Sequence, residues 1–258
     1  MRSLLFALAL VASQAFAEAI TLGPDRIPAR VLKPEGSGPF PAVVILHDCS
    51  GLGPHSSGAP DRWAEKLLGW GYVVILPDSF STRGYPDGVC TDNSKGRADV
   101  RPIRRARDAR MALEFLSTLP YVRKDRIGLM GGSHGGATTL ATLLRPGSGF
   151  AAAVALYPRC SVAPRLKPDV PLLILVGELD DWTPAKECVP LAGGNIRLKI
   201  YPGAHHAFDS SRPERYVAER INPSAPGGRG ATTGGNREAW ADSVREVEAF
   251  FARHLKSN

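Results

Sequence analysis

Six short apolar runs recur along the chain, at residues 41–46, 72–76, 126–130, 150–156, 171–176 and 196–201, the first of them continuous. A strand exposed on one face alternates, whereas a strand covered on both faces reads as an unbroken apolar run. Amphipathic, helix-period stretches lie between the runs, at 61–70, 98–119 (with Pro102 interrupting near its start), 133–144 and 184–191, and a last one at 237–255 closes the chain. Two shorter β-type segments, 19–22 and 27–32, precede the series. Strands alternating with helices in this way predict an α/β protein with a mostly parallel central sheet and helices on both faces.

Composition narrows the class further. With 258 residues, 43% hydrophobic and 22% charged, the chain can bury one large core and is neither disordered nor fibrous. No fixed-length repeat is visible, so one domain is expected over 18–258. Residues 1–17 place one Arg before an uncharged apolar run and end on Ala15-Phe16-Ala17, the pattern of a cleavable export signal. That run is too short to cross a bilayer, which takes about 20 residues, and no later stretch qualifies. The expected location is therefore periplasmic or secreted.

The net charge is +7. Its densest source is Lys95, Arg97, Arg101, Arg104, Arg105, Arg107 and Arg110, which alternate with Val100, Ile103, Ala106, Met111, Leu113 and Leu116 at helical spacing. This reads as a solvated helix face, and without interleaved aromatic residues it gives no case for a nucleic-acid partner. The four cysteines, Cys49, Cys90, Cys160 and Cys188, contain no C-x-x-C pair and do not resemble a zinc site. An even count in an exported chain favours disulfides. Residues 209–236, rich in Gly, Pro, Arg and Ser, fit neither helix nor strand and read as a surface loop near the site or a disordered excursion.

The strongest chemical signal is Gly128-Leu-Met-Gly-Gly-Ser133-His-Gly-Gly136, a G-x-S-x-G at the passage from a buried strand to a helix. A serine on such a tight turn is held out of the sheet, small neighbours let the strained backbone pass, and the helix aims its first N–H groups at the site. A serine hydroxyl needs a base, and the base needs an orienting carboxylate. Two loops after predicted strands supply them in the order expected, Ser, acid, His: Gly177-Glu-Leu-Asp180-Asp181-Trp182-Thr183-Pro184 and Tyr201-Pro-Gly-Ala-His205-His206-Ala-Phe208. Thr183 and Pro184 read as the N-cap and first residue of the following helix. Either aspartate and either histidine could serve, and the unused member of each pair reads as a surface or capping residue.

Taken together, Val43-Val-Ile-Leu-His47-Asp48-Cys49-Ser-Gly51-Leu52, Asp78-Ser-Phe, the serine turn, the 177–184 loop and His206-Ala-Phe208 resemble the dienelactone hydrolase family of the α/β-hydrolase superfamily. The resemblance covers nearly the whole chain after the signal. It implies an α/β-hydrolase fold and a triad of Ser133, Asp180 and His206. The backbone N–H groups of Cys49 and His134 would form the oxyanion hole, and no cofactor or metal is implied. It also implies, through the superfamily's sheet order, the disulfides Cys49–Cys90 and Cys160–Cys188. The founding enzymes of the family carry cysteine as nucleophile where this chain has Ser133. That difference and the export signal point to a small ester or lactone other than dienelactone.

Arg83 is a candidate for gripping a substrate carboxylate or for a structural salt bridge, and Trp182 for lining the acyl pocket or for plain packing. His47 and His55 read as hydrogen-bonded loop residues. Two other readings stand beside the esterase. One is a peptidase of the same superfamily. The other is a non-catalytic, envelope-associated binding protein that keeps the fold and uses the basic helix and the 209–236 segment as its contact surface.

Overall fold

A computed structural model describes residues 16–257. The expected signal lies outside the described residues except for Phe16 and Ala17, which open the first strand. Eight strands form one sheet: β1 (Phe16–Leu22), β2 (Ile27–Lys33), β3 (Phe40–Leu46), β4 (Val73–Pro77), β5 (Val122–Gly132), β6 (Ala152–Leu156), β7 (Leu172–Gly177) and β8 (Ile196–Tyr201). Their order is β1-β2-β4-β3-β5-β6-β7-β8. β2 is antiparallel to both its neighbours, β1 and β4; every later pairing is parallel.

The unbroken apolar runs are explained by cover on both faces. Along β3, Ala42, Val44 and Leu46 pack with Ala109, Ala112 and Leu116 of helix α2 (Pro102–Thr118) and Leu140 of α3 (His134–Thr142). Val43 and Ile45, pointing the other way, pack with Trp63 and Leu67 of α1 (Ala59–Gly69) and Val247 and Phe251 of α4 (Arg237–Phe251). Side chains alternate across a strand, so each face needs its own apolar set.

Helix starts follow the local chemistry. Pro60 and Pro102 stand in the first turns of α1 and α2, where a missing N–H costs nothing. Pro102 therefore begins α2 and does not interrupt it; the residues before it, Lys95–Val100, form a separate 3-10 turn. Asn236 caps α4 by accepting the Ala239 N–H.

Three expectations are corrected. Residues 184–191 are not a helix but two 3-10 turns, Ala185–Glu187 and Val189–Leu191, because Pro190 lacks the N–H that a longer helix would need. Residues 209–236 are ordered: β9 (Arg215–Ile221) and β10 (Arg229–Thr233) make a separate antiparallel hairpin. The basic cluster is not uniformly solvated. Arg101, Arg104 and Arg107 face water, but so does Ile103, while Arg105 is fully buried on the inward stripe with Ala109, Ala112 and Leu116. The side chains of Lys95 and Arg97 lie outside the described residues.

Candidate active site

Open parallel sheets present their ligand sites at the carboxyl ends of the strands. Here the segments after β3, β5, β7 and β8 bring Cys49, Ser133, Asp180 and His206 to that edge. Ser133 has φ 52° and ψ −114°, a conformation that L residues avoid. Its N–H is held by the Leu156 carbonyl at 2.9 Å, and its own carbonyl accepts the Ala137 N–H at 2.8 Å. Glycine at 131 and 135 is a packing requirement: a Cβ on Gly135 would fall 2.0 Å from the Leu46 carbonyl oxygen, and one on Gly131 2.4 Å from Gly135.

His206 Nε2 lies 2.9 Å from Ser133 Oγ, and His206 Nδ1 lies 2.8 Å from Asp180 Oδ2. Asp180 is aimed by its own loop. Its Oδ1 accepts the Trp182 and Thr183 N–H groups at 2.9 and 2.7 Å, and its Oδ2 lies 2.9 Å from the Thr183 hydroxyl. Asp180 and His206 are buried, and Ser133 keeps 9% exposure. Tyr157 packs edge-on to the imidazole at 4.8 Å between centroids and Trp182 tilts over it at 4.7 Å, so the ring has little room to turn. A serine, imidazole and carboxylate so connected can pass a proton from hydroxyl to ring while the carboxylate holds the tautomer. Cys49 lies across from Ser133, on a loop fixed by the Val89 N–H donating to the Cys49 carbonyl at 2.6 Å. Its sulfur is bonded to Cys90, and Cys160 is bonded to Cys188. Asp48, Cys49 and Cys90 are close enough to suggest a metal site, but both sulfurs are bonded to each other.

The unused members of the two pairs are not idle surface residues. Asp181 accepts the N–H of Thr232 on β10 at 2.9 Å and its hydroxyl at 2.9 Å. His205 faces Glu214, just ahead of β9, at 3.6 Å. The hairpin is tied further by the Gly234 N–H to the His206 carbonyl at 3.0 Å and by the Asn222 side-chain amide to the Asp181 and Gly230 carbonyls at 3.0 and 2.7 Å. It thereby walls a cleft of about 190 Å³ lined by Ile221 and Pro223 together with Ser133, His134 and Trp182.

Arg83 does not line this cleft. Its two terminal nitrogens grip Asp108 at 2.6 and 2.8 Å, and the buried carboxylate holds the guanidinium pKa above its usual value. The arginines that do line it are Arg101 and Arg159, the latter donating to the Trp182 carbonyl at 2.9 Å. Trp182 lines the cleft and is fixed by packing: its Nε1 donates to the Ile221 carbonyl at 2.8 Å while its ring covers His206. His47 is buried, and His55 lies exposed, 3.7 Å from Asp87. The sequence reading puts Arg105 on a solvated face, makes Thr183 an N-cap where its hydroxyl instead lies against Asp180 and His206, and gives Tyr157 no role. Arg105 alone had a signal, since it falls in phase with the apolar stripe of α2.

Sheet order, the serine turn and helices on both faces define an α/β-hydrolase fold. Within it the chain belongs to the dienelactone hydrolase family, whose profile matches residues 27–255, and it is a hydrolase. A Synechocystis protein named as a carboxymethylenebutenolidase is 22% identical, over 90% of this chain and 93% of the relative. A Bradyrhizobium protein named as a 2-oxo-3-(5-oxofuran-2-ylidene)propanoate lactonase is 25% identical, over 76% and 84%. The solved structure of a dienelactone hydrolase-like promiscuous phosphotriesterase from metagenomic libraries superposes with a TM-score of 0.69 at 20% identity, covering 94% of this chain and all of that one. Among the described residues no helix is long and apolar enough to cross a membrane.

Proposed function

We propose that the protein is an exported serine hydrolase that cleaves small carboxylic esters or lactones through an acyl-enzyme, as a single domain over residues 18–258. The observation that carries this reading is the unbroken chain from Ser133 Oγ through His206 to Asp180, at 2.9 and 2.8 Å, on a serine held at positive φ. The chemistry follows from the geometry. His206 Nε2 takes the hydroxyl proton as Ser133 Oγ bonds to the carbonyl carbon, and Asp180 stabilises the imidazolium that results. The oxyanion is held by the backbone N–H groups of Cys49 and His134. As the C–O bond breaks, His206 returns the proton to the leaving oxygen; from a lactone the ring opens and the new hydroxyl stays on the acyl group. Water, deprotonated by His206, then releases the acid. No step calls for a metal or an organic cofactor.

Trp182, Ile221 and Pro223 bound the space for the acyl or alcohol portion, and Arg101 and Arg159 favour a substrate that carries negative charge. The names of the two relatives, one a lactonase, support lactones as a substrate class. Two disulfides are compatible with an oxidising compartment. The test is labelling of the purified, signal-free protein with a fluorophosphonate, mapped by mass spectrometry, beside His206→Ala. A stoichiometric adduct on Ser133 that is lost in the variant supports the reading, and an ester, lactone and peptide panel then defines the substrate. A folded, oxidised protein that takes no adduct refutes it in favour of a binding protein.

A further inference from the structure

Arg105 is the one arginine of α2 that is fully buried, and it reaches both sides of the proposed oxyanion hole. Its Nη1 lies 2.7 Å from His134 Nδ1, on the residue that follows the nucleophile, and its Nη2 donates to the His47 carbonyl at 2.9 Å, two residues before Cys49. A guanidinium only donates, so His134 Nδ1 accepts and the proton of that ring is on Nε2. His47 is neutral by the same logic. The Ser79 N–H donates to its Nε2 at 3.1 Å, its Nδ1 donates to the Asp48 carbonyl at 2.8 Å, and burial together with the Arg105 charge pushes its pKa well below the usual 6.5. Phe80 completes the cluster, with the guanidinium carbon 4.8 Å from its ring centroid and both imidazoles edge-on to it.

The charge of Arg105 is favoured only at a distance, by Asp108, Asp48 and Asp78. Asp108, one turn further along α2, is gripped by both terminal nitrogens of Arg83, and among the described residues no carboxylate makes an ion pair with Arg105. Its buried Nε has no hydrogen-bond partner. Burial lowers its pKa to about 10, which still leaves it charged at neutral pH. A buried charge whose desolvation outweighs the carboxylates near it costs stability, and a stripe position beside Ala109, Ala112 and Leu116 has no packing need for one. What a guanidinium supplies there is two fixed donors and a positive potential.

We propose that Arg105 is the positioning residue of the oxyanion hole. Its guanidinium clamps the His47–Cys49 segment against His134, setting the spacing of the two backbone donors, and its charge lies behind the place where the oxyanion develops. The inference rests on the serine esterase reading above. The Cys49–Cys90 bond holds the far end of the same segment, so the segment is fixed from both sides.

The test compares wild type, Arg105→Lys, Arg105→Met and, as a control for surface charge, Arg107→Met, in the oxidised protein. The readouts are p-nitrophenyl acetate turnover, the rate of fluorophosphonate inactivation and melting temperature. Losing one oxyanion donor typically costs about 100-fold or more in turnover, so Arg105→Met is expected to lose about that much in kcat and Arg105→Lys about tenfold. KM should stay within about twofold, melting temperature should not fall for Arg105→Lys, and Arg107→Met should match wild type. If Arg105→Met does not fold, a double-mutant cycle of Arg105→Lys with His134→Ala decides between the outcomes. Both remove the same contact, so their losses in kcat should be less than multiplicative. A folded Arg105→Lys with wild-type kcat and labelling rate, or losses that simply multiply, overturns the clamp while leaving the esterase standing. A wild type that takes no label on Ser133 overturns both.

Discussion

The two walls of the cleft are built in different ways. On one side Ser133, Asp180 and His206 sit at the ends of β5, β7 and β8, neighbouring or near-neighbouring strands whose register is fixed by parallel ladders and by apolar cover on both faces. On the other side the β9–β10 hairpin belongs to no larger sheet. Its outer strand β9 is mostly exposed while β10 is buried or half-buried beyond Arg229, and it is held by side-chain and loop contacts from Asp181, Asn222 and His205 and by single backbone bonds. The sheet side fixes bond-making geometry, which tolerates little displacement. The hairpin side shapes the space around the substrate, a task that tolerates change.

The first way to test that contrast is Ser133→Ala, which should reduce ester turnover by at least about 10⁴-fold while leaving the melting temperature near wild type, as judged by steady-state kinetics and calorimetry. The adjacent aspartates should then separate. Asp180→Asn should lower kcat by about 10³- to 10⁴-fold by presenting the wrong partner to His206 Nδ1, whereas Asp181→Asn should change KM more than kcat, with both within about tenfold; equal losses in kcat would erase the distinction between the walls.

Third comes the Cys49–Cys90 bridge, closing a loop across 41 residues. Cys49→Ser with Cys90→Ser should cost about 2–4 kcal/mol in denaturant unfolding and lower kcat as well, because the loop carrying the Cys49 N–H is freed. Cys160→Ser with Cys188→Ser should cost stability with a smaller effect on kcat. The smallest effect concerns pH. His47 is neutral and fully buried, so below pH 6.5 the unfolded chain takes up a proton there that the folded chain refuses. Stability from this group is present above 6.5 and is lost as pH falls, by up to about 1.4 kcal/mol per pH unit. His47→Gln should flatten the slope of melting temperature against pH between about pH 5 and 6.5.

Five strands, β3 to β7, were legible as near-continuous apolar runs, since cover on both faces leaves that mark; β8, at the sheet edge, alternates instead, with Arg197 and Lys199 reaching Glu246 and Asp242 of α4. The elbow was legible because a strained turn demands glycines at fixed offsets. The acid and base loops were legible as pairs, but the choice within each pair came from family resemblance, since adjacent aspartates or histidines differ only in where the backbone points them. The hairpin was not legible: Arg215, Glu219 and Arg220 in β9 break the alternation by which a half-buried strand is recognised. Residues 184–191 kept helical spacing while Pro190 divided them. Arg105 was hidden by its own charge, because a helical arginine is assigned to water unless a buried acceptor for it is known in advance.

The contacts that fasten the hairpin have a consequence for how such a protein could acquire new substrates. The C-terminal arm of the hairpin is stitched to the peptide carbonyl of His206 and to the side chain that directly follows Asp180 in sequence. Widening the cleft by moving that arm pulls on both, so breadth of accommodation and speed of reaction are set against each other at the same three bonds. The easier route to a new substrate runs through the tip beyond Asn222 and Ser224, residues 225–228, where the chain can lengthen or change composition without drawing on the stitches.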